Sequence, residues 1–252
     1  MRDFIAFTKK EFIENVRTYR LYILGAVFLF IGIINPLTAL FLPEILGSID
    51  IGGIIELSEP TAMDSWIQFF SNTTLGMLAL IISYCGIMAN EFSRGTLVNL
   101  LTKGMRRQIV IWSKFLSTSI IWTGAYLLCL GVTYAYTVFY WSGAEWNQPI
   151  ISFLAPWLFG IFIIVLLIFG GVLTGTFSGT LLTSGVVIVL LNLLNIVPTF
   201  QRFNPVTLAS GTINLLNFQN ELADYLPAII ITLIASASVL IISVIVFNKK
   251  KI

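Results

Sequence analysis

Thirteen of the fourteen Lys and Arg residues in this chain are confined to three short stretches, with long uncharged apolar runs between them. The first stretch holds Arg2, Lys9, Lys10, Arg17 and Arg20. The second holds Arg94, Lys103, Arg106, Arg107 and Lys114, and the third Lys249, Lys250 and Lys251; only Arg202 lies elsewhere. Positive charge beside membrane spans stays on the cytoplasmic side. If all three stretches are cytoplasmic, an even number of spans separates each from the next.

A helix needs about 20 apolar residues to cross the hydrocarbon core. Six segments qualify, at about 21–42, 69–89, 115–140, 153–174, 181–198 and 227–247, and none contains Asp, Glu, Lys or Arg. The fifth is short and follows the fourth closely, so the two read as a helical hairpin with a tight turn from Thr176 to Thr180. The expected fold is therefore all-α: a polytopic membrane protein with six transmembrane helices, an N-terminal interfacial helix over 1–20, and both termini cytoplasmic. Residues 1–252 form one transmembrane domain. Segments 1–20, 90–114, 175–180 and 248–252 fall inside, and 43–68, 141–152 and 199–226 outside. Eight of the twelve acidic residues (Glu44, Asp50, Glu56, Glu59, Asp64, Glu145, Glu221 and Asp224) then lie outside, where Arg202 is alone in charge sign. Trp66, Trp141, Trp146 and Trp157 fall near outer boundaries, where aromatic belts form.

Composition narrows the chemistry. The chain is 57% hydrophobic and 10% charged, far from the quarter charged that is usual for globular domains. A net charge of +2 gives no reason to expect nucleic-acid binding. Histidine is absent, which removes the commonest general base and metal ligand. Cys85 and Cys129 sit in apolar runs and read as packed thiols; no metal site is expected. The first apolar run is too long for a signal-peptide core, which spans about 7–15 residues, and no small-residue cleavage site follows it.

Local signals add detail. Ile5, Phe12, Val16 and Tyr19 recur at helical spacing, with Lys9, Lys10 and Arg17 placed to reach lipid headgroups, as in a helix lying along the membrane plane. Asn35-Pro36 should kink the first span or end it early. Gly171, Gly175 and Gly179 suit either close helix approach or the permissive backbone of a hairpin. The segments 193–198 and 203–216 are apolar for an external loop, and a short helix dipping back into the outer leaflet fits them.

The most informative stretch runs from Glu91 to Phe115. Leu97, Leu100 and Leu101 share one face of a short helix, Gly104 suits its C-terminal cap, and Lys103, Arg106 and Arg107 complement its dipole. Such a helix, held between two spans, cannot build its own core, so its leucine face must meet the bilayer surface or a partner protein. The pattern E-x-x-x-G-T-L…L-L-T-K-G…R-R…K-F resembles the ABC-2 type permeases, the membrane subunits of a class of ABC exporters. In that family a Glu closes the second span, a G-T-L step opens a coupling helix, and an Arg precedes a Lys that opens the third span. The corresponding positions are Glu91, Gly95-Thr96-Leu97, Arg107 (or Arg106) and Lys114.

The resemblance implies that Glu91, Arg94, Gly95, Thr96, Leu97, Leu100, Leu101, Lys103, Arg106, Arg107 and Lys114 dock and couple a separate cytoplasmic ATPase. It also implies two ATPase subunits, a second permease chain (the same or a different one), and a multi-pass location in a bacterial plasma membrane. The chain carries no G-x-x-x-x-G-K-[ST] phosphate loop, so no cofactor belongs to it; ATP and Mg would sit on the partner, and the chain is not itself an enzyme. Spans without ionisable residues argue against an ion-coupled carrier and suit a hydrophobic or amphipathic cargo such as a peptide, drug or lipid-like molecule. Asn35, Asn72, Asn192 and Asn195 are candidates for the pathway or the dimer seam, against simple packing within one chain. The competing readings are a non-transporting membrane anchor or sensor, and a lipid-acting membrane enzyme, which would need acid–base or metal groups that this sequence lacks.

Overall fold

The computed structural model describes residues 2–48, 59–93, 95, 105–142 and 148–250. Eleven helices and no strand occur among them: α1 (Arg2–Arg17), α2 (Arg20–Ser48), α3 (Ala62–Tyr84), α4 (Ala89–Ser93), α5 (Arg107–Tyr140), α6 (Pro149–Thr174), α7 (Phe177–Leu194), α8 (Pro198–Gln201), α9 (Thr207–Ser210), α10 (Ile213–Leu216) and α11 (Leu222–Lys249). Six described stretches are long and apolar enough to span a membrane: α2, α3 with its extension to Ser93, α5, α6, α7 and α11. The architecture is all-α.

Helix α2 packs along α3 and α5, while α6 lies among α3, α5, α7 and α11. Burial follows from this: 72% of the apolar window of α6 is enclosed, against 11% for α7 and 17% for α11. Small residues set the crossings. A Cβ on Gly160 would stand 2.2 Å from the Trp122 ring, and one on Gly171 2.7 Å from Met88 Cβ. Gly175 instead serves the turn, with φ +70 and its N–H bonded to the Gly171 carbonyl at 2.9 Å. Both glycine readings therefore hold, at different residues. Thr176 caps α7 by accepting from the Gly179 N–H at 3.2 Å, which starts that helix at Phe177, ahead of the sequence expectation.

Proline in a helix removes one N–H and leaves the carbonyl four residues earlier without its donor. Three such carbonyls find a side chain on another element. Thr133 Oγ1 donates to the Gly32 carbonyl freed by Pro36 (3.2 Å). Thr212 Oγ1 donates to that of Ser152, freed by Pro156 (3.1 Å). Arg202 Nη2 reaches that of Ala223, freed by Pro227 (3.4 Å). With its carbonyl satisfied, α2 runs on through Pro36 to Ser48 rather than ending there.

The aromatic core corrects one expectation. Trp66 is fully buried, its ring 4.7 Å from that of Phe153, so it belongs to the core and not to an interfacial belt. Trp141 donates from Nε1 to the Pro60 carbonyl at 2.7 Å, Trp157 donates to Thr123 Oγ1 at 2.9 Å, and Trp146 lies outside the described residues. The short helices α8–α10 follow the fifth span. Leu208, Ala209, Leu215 and Leu216 among them are buried, with α9 and α10 packed on α3 and α6. They close the bundle at the end opposite the termini.

Candidate coupling site

All three basic stretches meet at the end that carries the termini, and they meet through specific bonds. The turn 85–88 ends α3, and α4 then brings the Glu91 carboxylate into the bundle. Helix α5 brings Lys114 from its second turn, and α1 lies across α5 with Phe7, Glu11 and Asn15 facing inward and buried. These three are four residues apart, so they form one helical stripe. Its opposite side leaves Ile5, Phe12 and Ile13 exposed, which suits a helix lying on a bilayer; Tyr19 falls in the turn after α1, at φ +59.

Lys114 Nζ contacts Glu11 Oε2 at 2.8 Å and Glu91 Oε1 at 3.1 Å. Lys10 Nζ contacts the same Glu91 oxygen at 2.6 Å and Glu11 Oε1 at 3.0 Å. The four charges therefore close into a ring of alternating sign, with Glu14 added on the rim through Lys10 at 2.7 Å. Lys114, Glu11 and Glu91 are almost entirely buried, whereas the Lys10 side chain keeps 40% of its surface. A buried charge survives only when paired and hydrogen-bonded, and here each buried member has at least two such contacts or shares an oxygen. Burial lowers the Lys10 pKa, but the Glu11 charge and bonds to Glu14 and Glu91 outweigh it and hold the ammonium above its ordinary value. The oxygens of Glu11, Glu14 and Glu91 come within 4.8 Å of one another, a spacing a metal ion could use; the Lys10 ammonium already touches all three carboxylates.

A second set of bonds fastens the C-terminus to the same region. Arg107 Nη1 donates to the carbonyls of Phe247 (3.1 Å) and Lys250 at the end of α11. Lys250 Nζ in turn caps α6 by donating to the Val172 carbonyl at 2.7 Å, and sits 4.6 Å from the centre of the Phe92 ring. Phe92 and Phe247 meet edge to face at 6.1 Å.

These bonds sort the residues expected from the sequence. Glu91 and Lys114 come together in the ring. Arg107 is used within the chain on the α11 terminus, while Arg106 is exposed. Gly95 ends α4 in the left-handed region at φ +63, which glycine reaches without steric cost. Arg94, Thr96, Leu97, Leu100, Leu101 and Lys103 lie outside the described residues. Asn72 Nδ2 donates to Asn35 Oδ1 at 2.9 Å and Asn35 Nδ2 to Thr133 Oγ1 at 3.0 Å, so both amides are engaged between α2, α3 and α5. Asn192 donates to the Ile188 carbonyl of its own helix at 2.9 Å, and Asn195 Oδ1 accepts from Thr207 at 3.0 Å.

Sequence reasoning missed Lys10, Glu11 and Glu14, having aimed Lys10 at headgroups. The signal was present: only Asp3, Glu11, Glu14 and Glu91 among twelve acids fall on the basic side, and three of those four are in or on the ring. The apolar runs of the sequence stop short of Glu91 and Lys114, yet both side chains are enclosed by the bundle.

The fold and this site define a class: a six-span helical membrane protein whose N-terminal helix and the ends of its second and third spans are joined at one end by buried ion pairs. Residues 5–252 match the model of the ABC-2 family transporter protein, and the chain belongs to that family. Its members are membrane permeases of ABC transporters and not themselves catalysts. The chain is also similar to "Uncharacterized transmembrane protein YxlG" of Bacillus subtilis (strain 168), with 26% identity over 152 residues. That match spans 59% of this chain and 59% of the relative.

Proposed function

We propose that this chain is the membrane-spanning permease subunit of an ATP-driven exporter in a bacterial plasma membrane, working as one of a pair of permease chains with two cytoplasmic ATPase subunits. The observation that carries this reading is how the segment between α4 and α5 is mounted. The described residues on its two sides are both tied into the bundle: Glu91 through two lysines, Arg107 through the α11 terminus. Force applied to a segment held this way passes to α1, α5 and α11 and is not lost in side-chain slack. ATP and Mg belong on the partner, whose closure would push on the leucine face of 97–101.

The basic end then faces the cytoplasm, as the distribution of Lys and Arg requires. Helix α7, with Leu182, Val186, Val189, Leu190 and Leu193 exposed, offers its uncovered side to the second permease chain. A cargo route bordered by apolar helix faces suits a hydrophobic or amphipathic molecule: a peptide, a drug or a lipid-like compound. The test is co-purification. A variant with Leu100→Asp and Leu101→Asp is expected to lose its ATPase partner while keeping the thermal midpoint and elution volume of the parent chain. An ATPase that remains bound to that variant at parental stoichiometry overturns the docking assignment.

A further inference from the structure

Arg202 breaks the charge pattern of this chain, and the coupling site gives it no role. It lies at the end opposite the termini, at the C-terminal edge of α8. There it helps wall a cavity of about 340 Å³ with Asn195, Gln201, Asn214, Asp224 and Tyr225, near the lower end of the usual size for small-ligand sites. Among the described residues its one bond is the 3.4 Å contact with the Ala223 carbonyl, which leaves most of the five guanidinium donors uncommitted there. Asp224 borders the same cavity, but no ion pair joins it to Arg202 among the described residues. The reason is local: Asp224 Oδ2 turns back to accept from the Glu221 N–H at 3.3 Å and closes the first turn of α11. A cation and an anion thus share one polar cavity without neutralising each other. Ile196, Phe200, Phe203 and Phe218 nearby are exposed, so an apolar surface borders the polar one.

We propose that this cavity binds the headgroup of a zwitterionic phospholipid with a primary ammonium, its phosphate on Arg202 and its ammonium on Asp224, while the acyl chains lie along the exposed phenylalanines. A planar guanidinium suits two phosphate oxygens at once, and the second Asp224 oxygen suits an N–H donor. The apolar border is what favours a lipid over a free zwitterion of the same chemistry. This site is independent of the ATPase reading and lies at the far end of the bundle.

The test uses the full chain in nanodiscs containing equal phosphatidylethanolamine, phosphatidylcholine and phosphatidylglycerol, with retained lipid read by mass spectrometry after extraction. Phosphatidylethanolamine should be retained over the other two by about tenfold, the ratio that 1.4 kcal/mol supplies. Phosphatidylcholine offers no N–H to Asp224, and phosphatidylglycerol no ammonium. Arg202→Gln keeps a donor for the Ala223 carbonyl but removes the charge that all three phosphates share, so stability should stay while retention of all three lipids falls. Asp224→Asn keeps the capping oxygen and should abolish the preference over both other lipids; it carries the test if the first variant misfolds. Equal retention of all three lipids by the parent chain, or unchanged retention in both variants, overturns the proposal. So does O-phosphoethanolamine raising the thermal midpoint of the lipid-free protein as much as the lipid does, which would mark a site for a free solute.

Discussion

Lys114 is the ring member whose loss should be felt most, because it is buried and touches two buried carboxylates. At contacts of 2.8 and 3.1 Å, each attraction is on the order of 5 kcal/mol at an effective dielectric of about 20. Desolvation of several kcal/mol per ion offsets most of this, so the intact ring adds little net stability. Removing one partner is another matter, since it leaves a buried charge uncompensated at about 3–5 kcal/mol. Lys114→Met keeps the side-chain length and should cost that much, lowering the thermal midpoint by about 6–20 °C for a chain of this size. Glu91→Gln should cost less, because Lys114 then keeps Glu11 and Lys10 keeps Glu11 and Glu14. The double variant tests the geometry. The two lesions remove one shared contact, so their costs should fall short of additive by about 1–3 kcal/mol. The assay is thermal unfolding in nanodiscs, followed by tryptophan fluorescence. Costs that add to within about 0.5 kcal/mol would mean that Lys114 and Glu91 do not interact, and the ring as described would be wrong.

Other outcomes follow from the same geometry. Gly160→Ala places a methyl against the Trp122 ring and should destabilise by about 1–3 kcal/mol, whereas Gly131→Ala, with open space around it, should be neutral or slightly stabilising in the same unfolding assay. Thr133→Val removes the donor to the Gly32 carbonyl and the acceptor for Asn35 and should cost about 1–3 kcal/mol. Lys10 has its pKa raised in the folded chain, so its contribution is fully present below the unfolded value near 10.4 and is lost only as pH climbs through the higher folded value. Thermal midpoints of the parent chain and Lys10→Met should accordingly differ by a constant amount from pH 6 to pH 9. A difference that shrinks across that window would contradict the assignment.

Topology was readable from one dimension because the bilayer acts on composition. A run without charge must be in lipid, and lysines and arginines must stop at one boundary, so the six spans and the shared end of the termini follow without any contact being known. The same rule marks the segment after the second span, while Glu91 and Lys114 stand out only through the resemblance of their pattern to the ABC-2 type permeases. Pairing was different. Whether Lys10 reaches a headgroup or Glu91, whether Asn35 lines a route or satisfies Thr133, and whether Trp66 lies at an interface or in a core depend on which helix stands beside which. Nothing in the local pattern carries that information, since an interfacial helix and a helix docked on α5 show the same periodicity. Tertiary packing decided it by enclosing Glu11, Glu91 and Lys114 together, where a low-dielectric surrounding makes each charge intolerable without the others.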